Sequence, residues 1–99
     1  MTSIEFAPEV LADIDRMFDH LTKFDPVRAS DRIASIVEAI DLLRHSPQIG
    51  RPVVNQRREL VIGRSAHGYV ALYEYVEFID TVFVLAIRSQ REAGYSSSR

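Results

Sequence analysis

Six side chains in the second half of this 99-residue chain have types suited to chemistry on an anion: Arg58, Arg64, His67, Arg88, Arg91 and Tyr95. Arginine offers a planar, bidentate grip on carboxylate or phosphate, but it stays protonated and makes a poor general base. A histidine titrating near neutrality can move a proton, and a tyrosine can stack or donate a hydrogen bond. The four arginines are therefore read as an anion-binding patch at the ends of a sheet, for a target or for carboxylates of a partner. Each has a plainer reading as a solvated strand-end arginine. For His67, a loop histidine bonded to backbone or water is the more ordinary reading.

Eleven of the twelve basic residues are arginine, and Lys23 is the sole lysine. Charge is divided unevenly along the chain. Residues 1–50 carry five basic and nine acidic groups, residues 51–99 seven and five, within an overall net charge of −2. The second half is equipped to bind anions, while the whole chain lacks the strong positive field of a dedicated nucleic-acid binder. No cysteine is present, which removes disulfides, thiol nucleophiles and cysteine-based zinc sites. His20, His45 and His67 are too scattered for a metal motif, so neither metal nor cofactor is expected.

The elements that position these groups follow from periodicity. Ser3 to Phe6 reads as a short strand. A first helix is predicted from Pro8, with Glu9 and Asp13 near its positive end. Its apolar stripe is read as Leu11, Ile14, Phe18 and Leu21, widened by Val10 and Met17. Asp25 is the expected cap and Pro26 the first-turn proline of a second helix. That helix runs to Arg44 or His45 and buries Ala29, Ile33, Ile36, Val37, Ile40 and Leu43. So short a connection makes the two helices an antiparallel hairpin.

Pro47, Gly50 and Pro52 mark a turn-rich crossing to a strand over 59–62, stopped by Gly63. Two dense β runs follow, Tyr69 to Val76 and Thr81 to Arg88, joined by a hairpin over 77–80. Both carry apolar side chains on both faces, unlike a half-buried strand. One sheet face can be covered by the helices; the other is expected to need a partner. Tyr69, Tyr73 and Tyr75 share one face and are read as packing residues. The fold class is α+β: a short N-terminal strand and a helical hairpin on a mainly antiparallel, three- to four-stranded sheet. Residues 1–95 are expected to form one domain and 96–99 a flexible tail. With 46% hydrophobic residues, and no apolar run of membrane-spanning length, the composition favours a soluble intracellular globule.

The strand followed by FAPEVLADIDRMFDHL, a second helix ending in LLRHSPQIGRP, and the closing REL…GYVALYEYV…TVFVLAIRSQREAGY resemble the RelE/ParE toxins of type II toxin–antitoxin modules. The resemblance spans about residues 3–95. It implies a small cytoplasmic toxin that inhibits growth and is neutralised by a cognate antitoxin, whose C-terminal segment wraps the toxin. RelE-type members cleave messenger RNA on the ribosome with lysines, arginines and a C-terminal tyrosine. Aligned on Gly68–Tyr69, the lysine positions fall on Val61 and Gly63, an arginine position on Val70, and a histidine or arginine position on Ser89. Tyr95 matches, and Arg91 fits the basic position before it. ParE-type members inhibit DNA gyrase without a catalytic constellation, and the resemblance implies that reading first. A ribosome-dependent endoribonuclease using His67, Arg88, Arg91 and Tyr95 stays open, as does a degenerate, non-toxic binding partner.

Overall fold

Pro8 opens the first helix, and its fixed φ at a position with no N–H to satisfy explains why the strand before it ends there. The computed structural model describes residues 1–63 and 68–90. Strand β1 (Ser3–Phe6) leads into α1 (Pro8–Phe24), with Glu9 in its first turn and Lys23 in its last, each complementing the helix dipole. The stripe that α1 buries is Val10, Asp13, Met17 and Leu21. Leu11 and Phe18, expected in the core, are 57% and 41% exposed. Seven residues apart, they form a parallel stripe about 100° round the helix from Val10 and Met17, so only one of the two stripes can face the sheet.

The second helix, α2 (Ala29–Asp41), starts three residues later than the proline suggested. The carbonyl of Asp25 accepts the Arg28 N–H at 3.1 Å, closing a turn over residues 26–28. Asp25 is thus not the helix cap; its carboxylate faces Arg32 Nε at 3.7 Å. Ile36, Ile40 and Leu43 are buried as expected, but Val37 is 52% exposed. The helix tightens into a 3₁₀ turn, Leu42–Arg44, which carries Leu43 into the core.

A five-stranded sheet lies beneath, in the order β1-β5-β4-β3-β2, one strand more than expected. The extra strand is the two-residue edge β2 (Arg51–Pro52), paired antiparallel with β3 (Arg58–Ile62). Strands β4 (Tyr69–Val76) and β5 (Thr81–Ser89) form the central hairpin, and β1 lies parallel to β5 with Ser3 beside Thr81. The register of β4 on β5 shifts at Leu72/Tyr73: Leu72 pairs with Ala86 and Tyr73 with Val84. Leu85 is the extra residue of a bulge, and it changes which β5 side chains point up. Val82, Val84 and Ile87 consequently all reach the helix side, where they join Tyr69, Ala71 and Tyr73 in one core with Val10, Ile36, Ile40 and Leu43.

The outer face is less bare than the apolar runs imply. Val70 and Ala86 are fully buried there, and Leu72, Val76 and Phe83 are half-buried. Val61 is the exposed large hydrophobic of β3 to β5, and Phe6 that of the edge strand β1. Larger apolar exposures lie elsewhere, at Val27 between the helices, at Val54 before β3, and at Phe78 in the 3₁₀ turn (Glu77–Ile79) joining β4 to β5. No helix of the described residues is long and apolar enough to cross a membrane.

Candidate functional site

The crossing segment over 46–50, here termed the strap, is tied to the sheet by two long side chains. Tyr73, wholly buried on β4, accepts the Gly50 N–H at its hydroxyl oxygen at 2.8 Å. Arg58, at the start of β3, donates from one Nη1 to the carbonyls of Gly50 at 2.8 Å and Gln48 at 3.1 Å. Gly50 has no room for a side chain: a Cβ would meet Tyr73 Oη at 2.7 Å and the Glu59 carbonyl at 2.8 Å. Burial pushes the Tyr73 phenol above its ordinary pKa, against the opposing pull of the Gly50 N–H and the Arg58 charge. This glycine is required for close approach to an aromatic ring, a different reason from the turn chemistry its neighbouring prolines suggest.

Two of the four arginines read as one patch, Arg58 and Arg88, are described, and they do not meet. Arg58 pairs with Tyr73 across β3 and β4, on the helix side, and its guanidinium is taken up by the strap. Arg88 pairs with Val70, which in turn pairs with Val61, so it lies on the outer face nearer the other end of the strands. The two arginines belong to opposite faces of the sheet. Arg88 donates to the Ser89 carbonyl at 3.2 Å. Arg64, His67, Arg91 and Tyr95 lie outside the described residues. Arg57, just before β3, is half-buried, with its Nε shielded from solvent and no hydrogen-bond acceptor among the described residues.

A second constellation closes the opposite end of the strands. Asp80 Oδ1 accepts hydrogen bonds from Thr2 Oγ1 at 2.7 Å and from Tyr75 Oη at 2.8 Å, while the Asp80 carbonyl accepts the Ser3 N–H at 3.0 Å. Asp80 sits at φ 48°, the left-handed conformation that asparagine and aspartate tolerate best among residues with a Cβ. These donors hold its carboxyl below the usual range. The same bond, with Asp80 as acceptor, raises the Tyr75 phenol. Between this clamp and the strap lies an open cleft of about 420 Å³, lined by Ser46, Pro47, Gln48, Ile49, Tyr75 and Glu77.

Asp13, read from the sequence as a carboxylate near the positive end of the first helix, is instead a buried polar group. Only 4% exposed within the buried stripe of α1, it accepts the Ile87 N–H at 3.4 Å and faces Arg16 at 3.4 Å. Ile87 follows the Leu85 bulge, where the ladder is interrupted and a backbone donor needs an acceptor. The available signal was position: a carboxylate three residues after Val10 and four before Met17 falls on the buried arc of the helix. Among the described residues no cluster of three His, Asp or Glu side chains could hold a metal. On the described outer face Arg88 shares the sheet with the carboxylates Glu59 and Glu74, which pair with Leu72 and Phe83.

Comparison with known proteins agrees with this architecture. Residues 4–94 match the family described as ParE toxin of type II toxin–antitoxin system, parDE. The chain is 29% identical over 92 residues to Toxin RelE3 of Caulobacter vibrioides, covering 93% of this chain and 98% of that one. Among solved structures, the chromosomal ParDE system of P. aeruginosa superposes with a TM-score of 0.76 at 25% identity, covering 90% of this chain and 96% of that chain. The RelBE2 toxin–antitoxin complex of Mycobacterium tuberculosis gives 0.61 at 18% identity over 90% of this chain and 98% of that chain, a likeness of fold alone.

Proposed function

Because the chain belongs to the ParE toxin family of type II toxin–antitoxin systems, we propose that it acts in the cytoplasm as a ParE-like inhibitor of DNA gyrase, held inactive by a cognate antitoxin. The observation that carries the gyrase reading is the aliphatic pair Val61 and Val70, directly opposed on the outer face beside Arg88. RelE-type nucleases carry lysine and arginine at the positions these residues resemble, and aliphatic side chains neither accept nor donate a proton. The Arg88 guanidinium on this half-buried face, which Glu59 and Glu74 share, suits recognition of carboxylate or phosphate by contact. Arg88, with Arg64, Arg91 and Tyr95 by their place in the sequence, is the set assigned to partner contact. Arg58 stands apart from that set, its guanidinium holding the strap on the opposite face.

The relative named RelE3 supports a second reading, a ribosome-dependent endoribonuclease whose groups are His67, Arg88, Arg91 and Tyr95. Two assays separate the readings. Purified toxin added to gyrase lowers supercoiling with dose, and antitoxin restores it, under the first reading. Gyrase left untouched by micromolar toxin rejects that reading. Primer extension on transcripts from expressing cells shows discrete cuts only under the second. Normal growth on expression without antitoxin points instead to a degenerate member that binds without poisoning.

A further inference from the structure

Asp13 accepts a backbone N–H that β5 offers in its bulged register and would not offer in a straight one. In an antiparallel pair, alternate residues turn their N–H and C=O toward the partner strand, and the rest turn them away. The Gln90 N–H meets the Gly68 carbonyl at 2.9 Å, so Arg88 and Ala86, paired with Val70 and Leu72, also face β4. Ile87 and Ser89 face away from it. Nearer the β4–β5 tip the alternation has the other parity: the carbonyls of Asp80 and Val84 accept the Ser3 N–H at 3.0 Å and the Ala7 N–H at 2.9 Å. Asp80, Val82 and Val84 therefore face β1, and Ala86 and Arg88 would follow them in an unbroken strand. Leu85, the bulge residue, moves that role to Ile87 and Ser89. Strand β1 pairs only as far as Val84 and gives way to α1 at Pro8, so the Ile87 N–H points where no described strand lies. Asp13 Oδ2 stands there, 3.4 Å from that nitrogen and 4% exposed, with Arg16 3.4 Å from its other oxygen.

We propose that Asp13 is a positioning residue: standing in for the missing strand, it holds β5 in the bulged register and so aims Arg88 from the outer face. The proposal rests on the reading of Arg88 as a partner-contact residue and adds what fixes its place. In a straight β5, Ile87 would pair with Val70 and give its N–H to β4, leaving Asp13 buried without that donor. The same straightening would turn Arg88 to the helix side and Ile87 out of the core it now joins, so apolar burial favours the bulge as well. Burial selects which side chain points inward, but it is not directional. The Asp13 bond adds the direction, fixing where the backbone beyond the bulge lies. Arg88 is the next residue, so any play at Ile87 passes straight to its Cα.

Amide exchange and binding test this with two variants of the full chain. Asp13→Leu removes the acceptor at similar volume, and Asp13→Asn keeps a carbonyl oxygen in its place; Asp13→Ala stands in should Asp13→Leu not fold. Relative to the Tyr73 amide on β4, the Ile87 N–H should exchange about tenfold faster in Asp13→Leu, the scale of one lost hydrogen bond to a charged group. In Asp13→Asn that ratio should stay near the wild-type value. Affinity for the cognate antitoxin and arrest of growth on expression should fall several-fold in Asp13→Leu and recover in Asp13→Asn. Both should fall no further when Asp13→Leu is added to Arg88→Ala, as for two residues acting through one contact. An Ile87 ratio unchanged by Asp13→Leu overturns the proposal. A loss of affinity that adds fully to that of Arg88→Ala also overturns it, because Asp13 would then act elsewhere. Equal impairment of Asp13→Asn and Asp13→Leu does the same, making charge rather than register the requirement. Arg88→Ala with full affinity and full arrest rejects the contact reading instead, and Ile87 exchange then decides the register by itself.

Discussion

The strap latch and the tip clamp do the same job with nearly the same parts, at different depths. Each uses a β4 tyrosine hydroxyl and one charged side chain to tie a distant segment to the sheet. Tyr73 is wholly buried and its partner is a backbone N–H beneath a glycine with no spare volume. Tyr75 and Asp80 meet at the surface, where water can replace either partner. A hydrogen bond left unmade in the interior costs the desolvation of its orphan, and one left unmade at the surface costs little. The latch therefore governs folding, and the clamp chiefly sets the shape of the exposed tip.

Substitution at Gly50 should show the difference most strongly. Gly50→Ala forces a Cβ into Tyr73 and the Glu59 carbonyl, and overpacking of this kind costs about 1–3 kcal/mol or more. Urea unfolding should report a lower midpoint at unchanged slope. Wild-type stability would mean the strap moves freely and the latch is incidental. Next comes Tyr73→Phe, which strands the Gly50 N–H with its ring contacts intact, at about 1–3 kcal/mol. Adding Arg58→Ala to it should cost less than the two separate losses together, since both act on one segment.

The clamp should respond to pH instead. Asp80 is depressed by its donors, so its contribution is present above the unfolded aspartate value of about 3.9 and is lost as pH falls through the lower folded value. Tyr75 is raised by the same bond, so its contribution is present below the unfolded tyrosine value of about 10 and is lost as pH rises through the higher folded value. Thermal midpoints against pH should be level between these limits, and Asp80→Asn should flatten the acid limb. An unchanged acid limb would place that titration elsewhere. Phe78→Ser, lacking buried contacts, should leave stability within about 0.5 kcal/mol of wild type. A clear loss would show that Phe78 packs against its own chain.

Much of the frame was legible in residue order. Pro8, the apolar spacing of the helices, Gly63 at φ 79° and the two β runs fall where elements begin, continue or stop. These signals are local, each read within a few residues. That Arg58 and Arg88 face opposite ways was not legible, because spacing in the sequence says nothing about which face of a sheet receives a side chain once a bulge intervenes. The choice between the two α1 stripes was equally closed to sequence reading. Leu11 and Phe18 are as apolar as Val10 and Met17, and only the sheet beneath decides which pair is covered.

By itself, then, the sequence determined the order of elements, the pairing of two helices and the excess of apolar side chains in the last two strands. It did so because backbone conformation and periodicity are properties of neighbouring residues. Tertiary structure alone decided that Tyr73 reaches Gly50 across 23 positions, that Asp13 meets Ile87 across 74, and that Arg58 and Arg88 face opposite ways. Each of these depends on register, and register is settled by how the whole core packs.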